Sequence, residues 1–184
     1  MAVSAFAPVL LLTLMALAVL MVSGVQIKNL QVDPCELNVD YPVTVHNIVA
    51  KFIGNKLVVA GGATVARDLE APVTMSILMR LSLMAFRKVI TVPCTNNFGS
   101  CTYQDICTLP EKLGEKSAMV CGLLERFGFP CKCPIPKGSY DVSRTEIPFD
   151  ASLISSFSGS YGVQVNATHN GQPLGCYQIT FSMG

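Results

Sequence analysis

From Val73 to Leu83 every second residue is apolar: Val73, Met75, Ile77, Met79, Leu81 and Leu83 share one face of an extended chain, with Thr74, Ser76, Leu78, Arg80 and Ser82 on the other. Successive strand side chains point to opposite faces, so this alternation predicts a strand with one side on an apolar interior and the other partly exposed. The pattern returns from Ser160 to Thr168, where Tyr161, Val163, Val165 and Ala167 oppose Gln164, Asn166 and Thr168. It returns again from Cys176 to Phe181, with Tyr177, Ile179 and Phe181 on one face. Between these two lies Asn170-Gly171, whose residues tolerate positive φ, so a C-terminal hairpin with a slightly long loop is expected. Shorter candidates are Val43 to Phe52, Lys56 to Ala60, Arg87 to Val92 and Tyr140 to Ile147, punctuated by Gly61-Gly62, Lys137-Gly138 and several prolines. Seven or so short strands with turns between them specify an all-β fold, an antiparallel β sandwich or cup.

The stretch from Thr108 to Phe127 departs from that pattern. Leu109, Leu113, Leu123 and Leu124 suit a short helix interrupted at Gly114 and Gly122, and Cys107, Cys121, Cys131 and Cys133 surround it. It reads as a disulfide-stapled loop region at about 107–133 rather than as a separate domain. The N-terminus is different again. Met1 to Ile27 carries no charged side chain, and Val9 to Val22 is apolar apart from Thr13. That run is shorter than the ~20 residues of a membrane span. With the small residues of Val22-Ser23-Gly24 after it, residues 1–24 are expected to be a cleaved signal peptide and 25–184 a single β-cup domain.

Eight cysteines behind such a leader read as disulfides, because thiols in the secretory pathway meet an oxidising environment. Zinc is the poorer reading: Cys131-Lys132-Cys133 is tight for one ion, whose structural sites prefer two to four intervening residues. A mature chain of this length can bury roughly 70% of its unfolded surface, so it does not need four bridges merely to fold. A partly hollow interior, in which packing contributes less, would account for the cysteine density.

Charge narrows the function classes. Lys+Arg number 13 against Asp+Glu 12, with no basic stripe of the kind phosphate neutralisation requires, so nucleic acid is not the expected partner. Hydrophobic residues make up 51% of the chain, which excludes disorder. Catalysis lacks its parts. His46 and His169 are the only histidines, and Ser158-Gly159-Ser160-Tyr161-Gly162 does not fit a nucleophile elbow. Glu111 and Glu115 read as a solvated face, and paired cysteines leave no thiolate. The expectation is a non-catalytic protein with no cofactor. Asn166-Ala167-Thr168 is its one N-x-S/T sequon, with Asn166 on the polar face of a strand where a glycan fits.

The apolar excess suggests a ligand. Met75, Ile77, Met79, Leu81, Leu83, Met84, Phe86, Leu153, Ile154, Phe157 and Tyr161 are candidates to line a cavity or its rim, with Leu81, Leu83, Met84 and Phe86 as a first rim segment and Leu153, Ile154 and Phe157 as a second. Arg87 and Lys88 follow the first rim segment and would meet lipid headgroups, while methionine adapts to flexible acyl chains.

Val92-Pro93-Cys94-Thr95, Gly99-Ser100-Cys101-Thr102-Tyr103 and Cys107 together resemble the ganglioside activator protein family. So do Phe127-Gly128-Phe129-Pro130-Cys131-Lys132-Cys133-Pro134, Lys137-Gly138-Ser139-Tyr140, Gly159-Ser160-Tyr161 and Leu174-Gly175-Cys176. The likeness is specific from Cys94 onward and general in character from Cys35 to Ile90. It implies an ML-type lipid-recognition cup, secreted or in the lysosomal lumen, holding a glycosphingolipid or phospholipid. Such a protein lifts its ligand from a membrane surface and presents the headgroup to a glycosidase, typically β-hexosaminidase A. The resemblance also implies the pairs Cys35–Cys176, Cys94–Cys101, Cys107–Cys133 and Cys121–Cys131, which spacing alone cannot select from the 105 connectivities eight cysteines allow. One departure stands out. The family places tryptophans on membrane-facing loops, whereas this chain has none and carries serine around Ser155, with Phe157 nearby. The alternative on the same cup is an extracellular recognition module for a microbial or other lipid, without a glycosidase; a durable secreted protein with no ligand is a third reading.

Overall fold

The computed structural model describes residues 26–53, 56–83, 88–95, 99–112, 114, 117–148 and 159–184. Alternating segments become strands, as their period requires. In chain order these are β1 (Ile27–Pro34), β2 (Val43–Ile53), β3 (Lys56–Val65), β4 (Val73–Leu83), β5 (Lys88–Thr91) and β6 (Thr102–Tyr103). A 3-10 turn (Ile106–Thr108), α1 (Leu109–Lys112) and α2 (Ser117–Arg126) follow, then β7 (Gly138–Pro148), β8 (Gly159–His169) and β9 (Gln172–Met183). Two antiparallel sheets result. The larger runs β1-β9-β8-β4-β5 with β6 also on β4, and the smaller runs β2-β3-β7. The all-β reading is therefore correct.

Several boundaries differ from the sequence reading, each for a local reason. β1 was not foreseen: its register on β9 shifts between Lys28 and Gln31, where Asn29 takes φ 54°, and the shift breaks the alternation. Gly61-Gly62 does not end β3, which continues to Val65 past a register shift between Val59 and Gly61. The hairpin loop is not long. β8 and β9 join through Asn170 and Gly171 alone, at φ 49° and 78°, the positive pair a tight primed turn needs. The helical excursion breaks at Gly114 (φ 57°) as expected, whereas Gly122 lies within α2.

One end of the interior is closed by a buried cluster. Val65 of β3, Leu69, Val73 of β4 and Leu174 of β9 form this cluster, and Val43, Ile106, Ile135, Tyr140 and Ala167 pack around it. Beyond this cluster the inward face of the larger sheet is half-buried at Met75, Ile77, Met79, Val165, Tyr177, Ile179 and Phe181, and buried again at Leu81, Tyr161 and Val163. An apolar face that is not covered by the facing sheet is the signature of a cup rather than a filled sandwich.

Tyr177 clasps the two sheets along one side. Its hydroxyl donates to the Val43 carbonyl (3.0 Å) and accepts from the Val45 N–H (3.1 Å), satisfying the outer edge of β2. Gly175 permits the approach, since a Cβ there would stand 3.2 Å from the Val43 oxygen. The bridge Cys35–Cys176 ties the start of the β1–β2 connection to β9 in the same region, and Cys35 N–H donates to the Cys176 carbonyl (3.0 Å). The other bridges are Cys94–Cys101, Cys107–Cys133 and Cys121–Cys131, the same four pairs the resemblance implies.

Candidate functional site

The excursion between β6 and β7 covers part of the cup and shapes what remains open. It is anchored at Asp105, whose Oδ1 accepts from Cys107 N–H (3.0 Å) to cap the 3-10 turn and from Val73 N–H (3.1 Å) at the start of β4. One carboxylate thus fixes the excursion to the buried end of the large sheet. Leu69 and Ile135 exchange two backbone hydrogen bonds of 2.9 Å, which fixes its return. Cys107–Cys133 and Cys121–Cys131 hold the two limbs together. After α2, Phe127 N–H and Phe129 N–H both bond back to the Leu124 carbonyl, and Gly128 takes φ 75°, so the chain reverses and carries Phe129 inward. Phe129 stacks on Tyr140 of β7, with ring centroids 4.3 Å apart and planes 16° off parallel.

Two apolar cavities flank Phe129. One, of about 350 Å³, lies between β4 and the excursion and is lined by Met75, Ile106, Leu109, Pro110, Leu124, Phe129, Pro130 and Ile135 together with Cys107, Cys131, Cys133 and Lys132. The other, of about 290 Å³, lies over the smaller sheet, lined by residues of β2, β3 and β7 that include Val45, Val59, Ala63, Tyr140 and Val142, with Phe127 and Phe129 above them. Ligand pockets of this size range are mostly apolar with a few placed polar groups. Here the charged lining residue is Lys132, at the rim and paired with Glu111 of α1 at 3.3 Å.

The residues singled out from the sequence divide into three groups. Met75 lines the first cavity, and Ile77 and Met79 continue the same half-buried inward face. Leu81 (4% exposed) and Tyr161 (6%) are packed instead, Tyr161 stacking on Phe181 at 5.1 Å, and burial raises the Tyr161 phenol above its ordinary value. Leu83 is the last residue of β4 and pairs with Lys88 of β5. Met84, Phe86, Leu153, Ile154 and Phe157 lie outside the described residues, as do residues 1–24. Asn166 stands on the outer face of the large sheet, opposite Ser76 and Cys176.

Sequence reasoning missed the contribution of the excursion, above all Leu124, Phe127 and Phe129. A signal was available: Phe127-Gly128-Phe129 is an apolar turn set between Cys121 and Cys131, where a turn exposed to water would be polar. Chemically the arrangement offers shape and apolar surface. All eight cysteines are bridged, and the described residues hold no group of three His, Cys, Asp or Glu that could bind a metal ion. Among them no helix is long and apolar enough to cross a membrane.

Two antiparallel sheets splayed over an apolar interior, with disulfide-stapled loops at its edge, define a β-cup binding protein. The sequence matches the family model of the ML domain over residues 29–183, and the chain belongs to that family. It is similar to the ganglioside GM2 activator of Macaca fascicularis, at 27% identity over 133 residues that cover 69% of this chain and 70% of the relative. Against the ganglioside GM2 activator of Mus musculus the identity is 29% over 134 residues, 69% of each chain. Both relatives are ganglioside activators, the group that the cysteine motifs resemble.

Proposed function

We propose that this protein is a secreted or lysosomal, non-catalytic lipid carrier. It takes the acyl part of a glycosphingolipid or phospholipid into the cup and presents the headgroup to a glycosidase of the β-hexosaminidase A type. The observation that carries this reading is the half-buried apolar inner wall, with cavities on both sides of Phe129. Moving a lipid into water costs about 0.8 kcal/mol per CH₂, and an apolar wall removes most of that cost, so extraction becomes thermally accessible. In this reading residues 1–24 are removed on secretion and 25–184 form the carrier. Met84, Phe86, Leu153, Ile154 and Phe157 touch the bilayer, Phe157 standing in for the absent tryptophans. Asn166 carries a glycan on the outer sheet face, away from the ligand; a mass loss on treatment with an N-glycosidase would show it, and an unchanged mass would remove it.

The test is native mass spectrometry of the chain made in a eukaryotic secretory host, followed by transfer of labelled GM2 ganglioside between vesicles with and without β-hexosaminidase A. Co-purified lipid, transfer and faster hydrolysis together support the proposal. Transfer with no effect on hydrolysis replaces the activator by a lipid-recognition module. A clean apo mass and no lipid uptake refute the carrier.

A further inference from the structure

We infer that the cavity between β4 and the excursion selects lipids whose headgroup bears an anionic group, a phosphate, sulfate or carboxylate, where it joins the chain, and that Lys132 reads that charge. This rests on the lipid-carrier reading above and narrows its ligand to the phospholipid side, because a glycosphingolipid is neutral where ceramide meets sugar.

Lys132 is the charged side chain on an otherwise apolar lining that runs from Met75 to Phe129 and Ile135. Its side chain is 74% exposed, so the stem lies along the cavity edge while the ammonium stays in water. The backbone beneath it cannot drift. Cys131 on one side is bridged to Cys121 and Cys133 on the other to Cys107, so two disulfides hold Lys132 at the mouth. A flexible cation fixed at the boundary between an apolar slot and solvent faces the point where an inserted chain meets its headgroup.

The present partner of that cation is replaceable. Glu111 Oε1 lies 3.3 Å from Lys132 Nζ, but its side chain is 62% exposed, and exposed pairs of this kind are weak and screened by salt. Asp105, at the start of the excursion, is committed to the Val73 and Cys107 N–H groups. An anionic headgroup arriving with its chain in the slot therefore displaces Glu111 at little cost and keeps the charge pair. A neutral headgroup leaves Lys132 on Glu111 and gains nothing from it. An anion placed far out on a glycan would not reach Lys132 while the chain fills the slot.

The experiment compares 1-myristoyl lysophosphatidic acid with 1-monomyristoylglycerol, which share chain and glycerol and differ in the phosphate, by calorimetry on the fully disulfide-bonded protein. Lysophosphatidate is expected to bind about fivefold tighter at low ionic strength, the order of one lysine against an anionic lipid, with the preference shrinking in salt. Lys132→Met should abolish the preference, read as the ratio of the two affinities within the variant; Glu111→Gln should increase it. Equal affinities in the native protein, or a Lys132→Met variant that weakens both lipids alike, would overturn the inference and leave the carrier intact. Binding of inorganic phosphate alone would overturn it in favour of a free-anion site. Failure of both lipids to bind would sink the carrier reading and this inference with it.

Discussion

Replacing Tyr177 with phenylalanine tests how the two sheets are held together. The substitution removes one oxygen and keeps the ring. Two neutral hydrogen bonds are lost, the 3.0 Å bond donated to the Val43 carbonyl and the 3.1 Å bond accepted from the Val45 N–H. Each such bond contributes about 0.5–1.5 kcal/mol net, and β2 is an edge strand to which water can return, so about 1–2 kcal/mol is expected. For a domain of this size that lowers Tm by about 2–8 °C. Equilibrium unfolding in urea, with the disulfides intact, reads the change as a lower midpoint at unchanged slope.

The same residue gives a pH signature with a definite sign. Burial raises the Tyr177 phenol above its ordinary value; the Val45 N–H lowers it, and neighbouring Tyr41 raises it again. A group whose folded pKa is raised stabilises fully below the unfolded value of about 10, and that stability is lost as pH rises through the folded value. Tyr161, raised by burial, adds to the same alkaline decline. Tyr177→Phe should therefore unfold at lower urea near neutrality and show a shallower loss above pH 10, Tyr161 supplying what remains. A variant with the wild-type midpoint at pH 7 and the wild-type alkaline limb would refute the clasp.

Three further outcomes follow from the same geometry. Phe129→Ala removes the stack on Tyr140 and the ring shared by both cavities, so it should cost about 2 kcal/mol and move preference toward longer acyl chains, read by calorimetry with decanoyl and stearoyl lysolipids; equal weakening of both would sink the idea of a partition. Replacing Cys35 and Cys176 together by alanine opens a bridge across 141 residues and should cost about 2–5 kcal/mol, measured by thermal unfolding; a wild-type Tm would show that the strands alone close the fold. The carboxyl of Glu146 is held below its ordinary value by the hydrogen bond and charge of Lys56 at 2.8 Å, so the pair persists in mild acid and its contribution is lost only as pH falls through that lowered value; an NMR titration of Glu146 that Lys56→Met leaves unmoved would contradict this.

Most of the strand architecture was legible because apolar residues recur at every second position of β4, β8 and β9, and the register sets those residues side by side. β1 was missed for the converse reason: a bulge at Asn29 shifts the register, and the alternation on either side no longer adds up. Gly61-Gly62 misled because glycine marks a turn and a bulge equally well, and only the pairing of β3 with β7 distinguishes them. The cavity was harder to see. Period two says which face of β4 is apolar, but not which of Met75 and Leu81 meets a void and which meets a neighbour; that depends on Ile106, Leu124 and Phe129, which lie far from β4 in sequence on an excursion stapled by its own two disulfides.

The placement of the stabilising contacts explains how such an interior persists. An uncovered apolar wall forgoes the packing that most domains of this size rely on, so stability has to come from the periphery. Here it does: the Val65–Leu69–Val73–Leu174 cluster closes one end, Tyr177 and Cys35–Cys176 close one side, and Asp105 with two bridges closes the other. If the cup takes lipid as proposed, the lipid is the missing layer of the core, and each bound chain stabilises the fold by mass action while the shell stays as it was. A filled core would be more stable and could carry nothing.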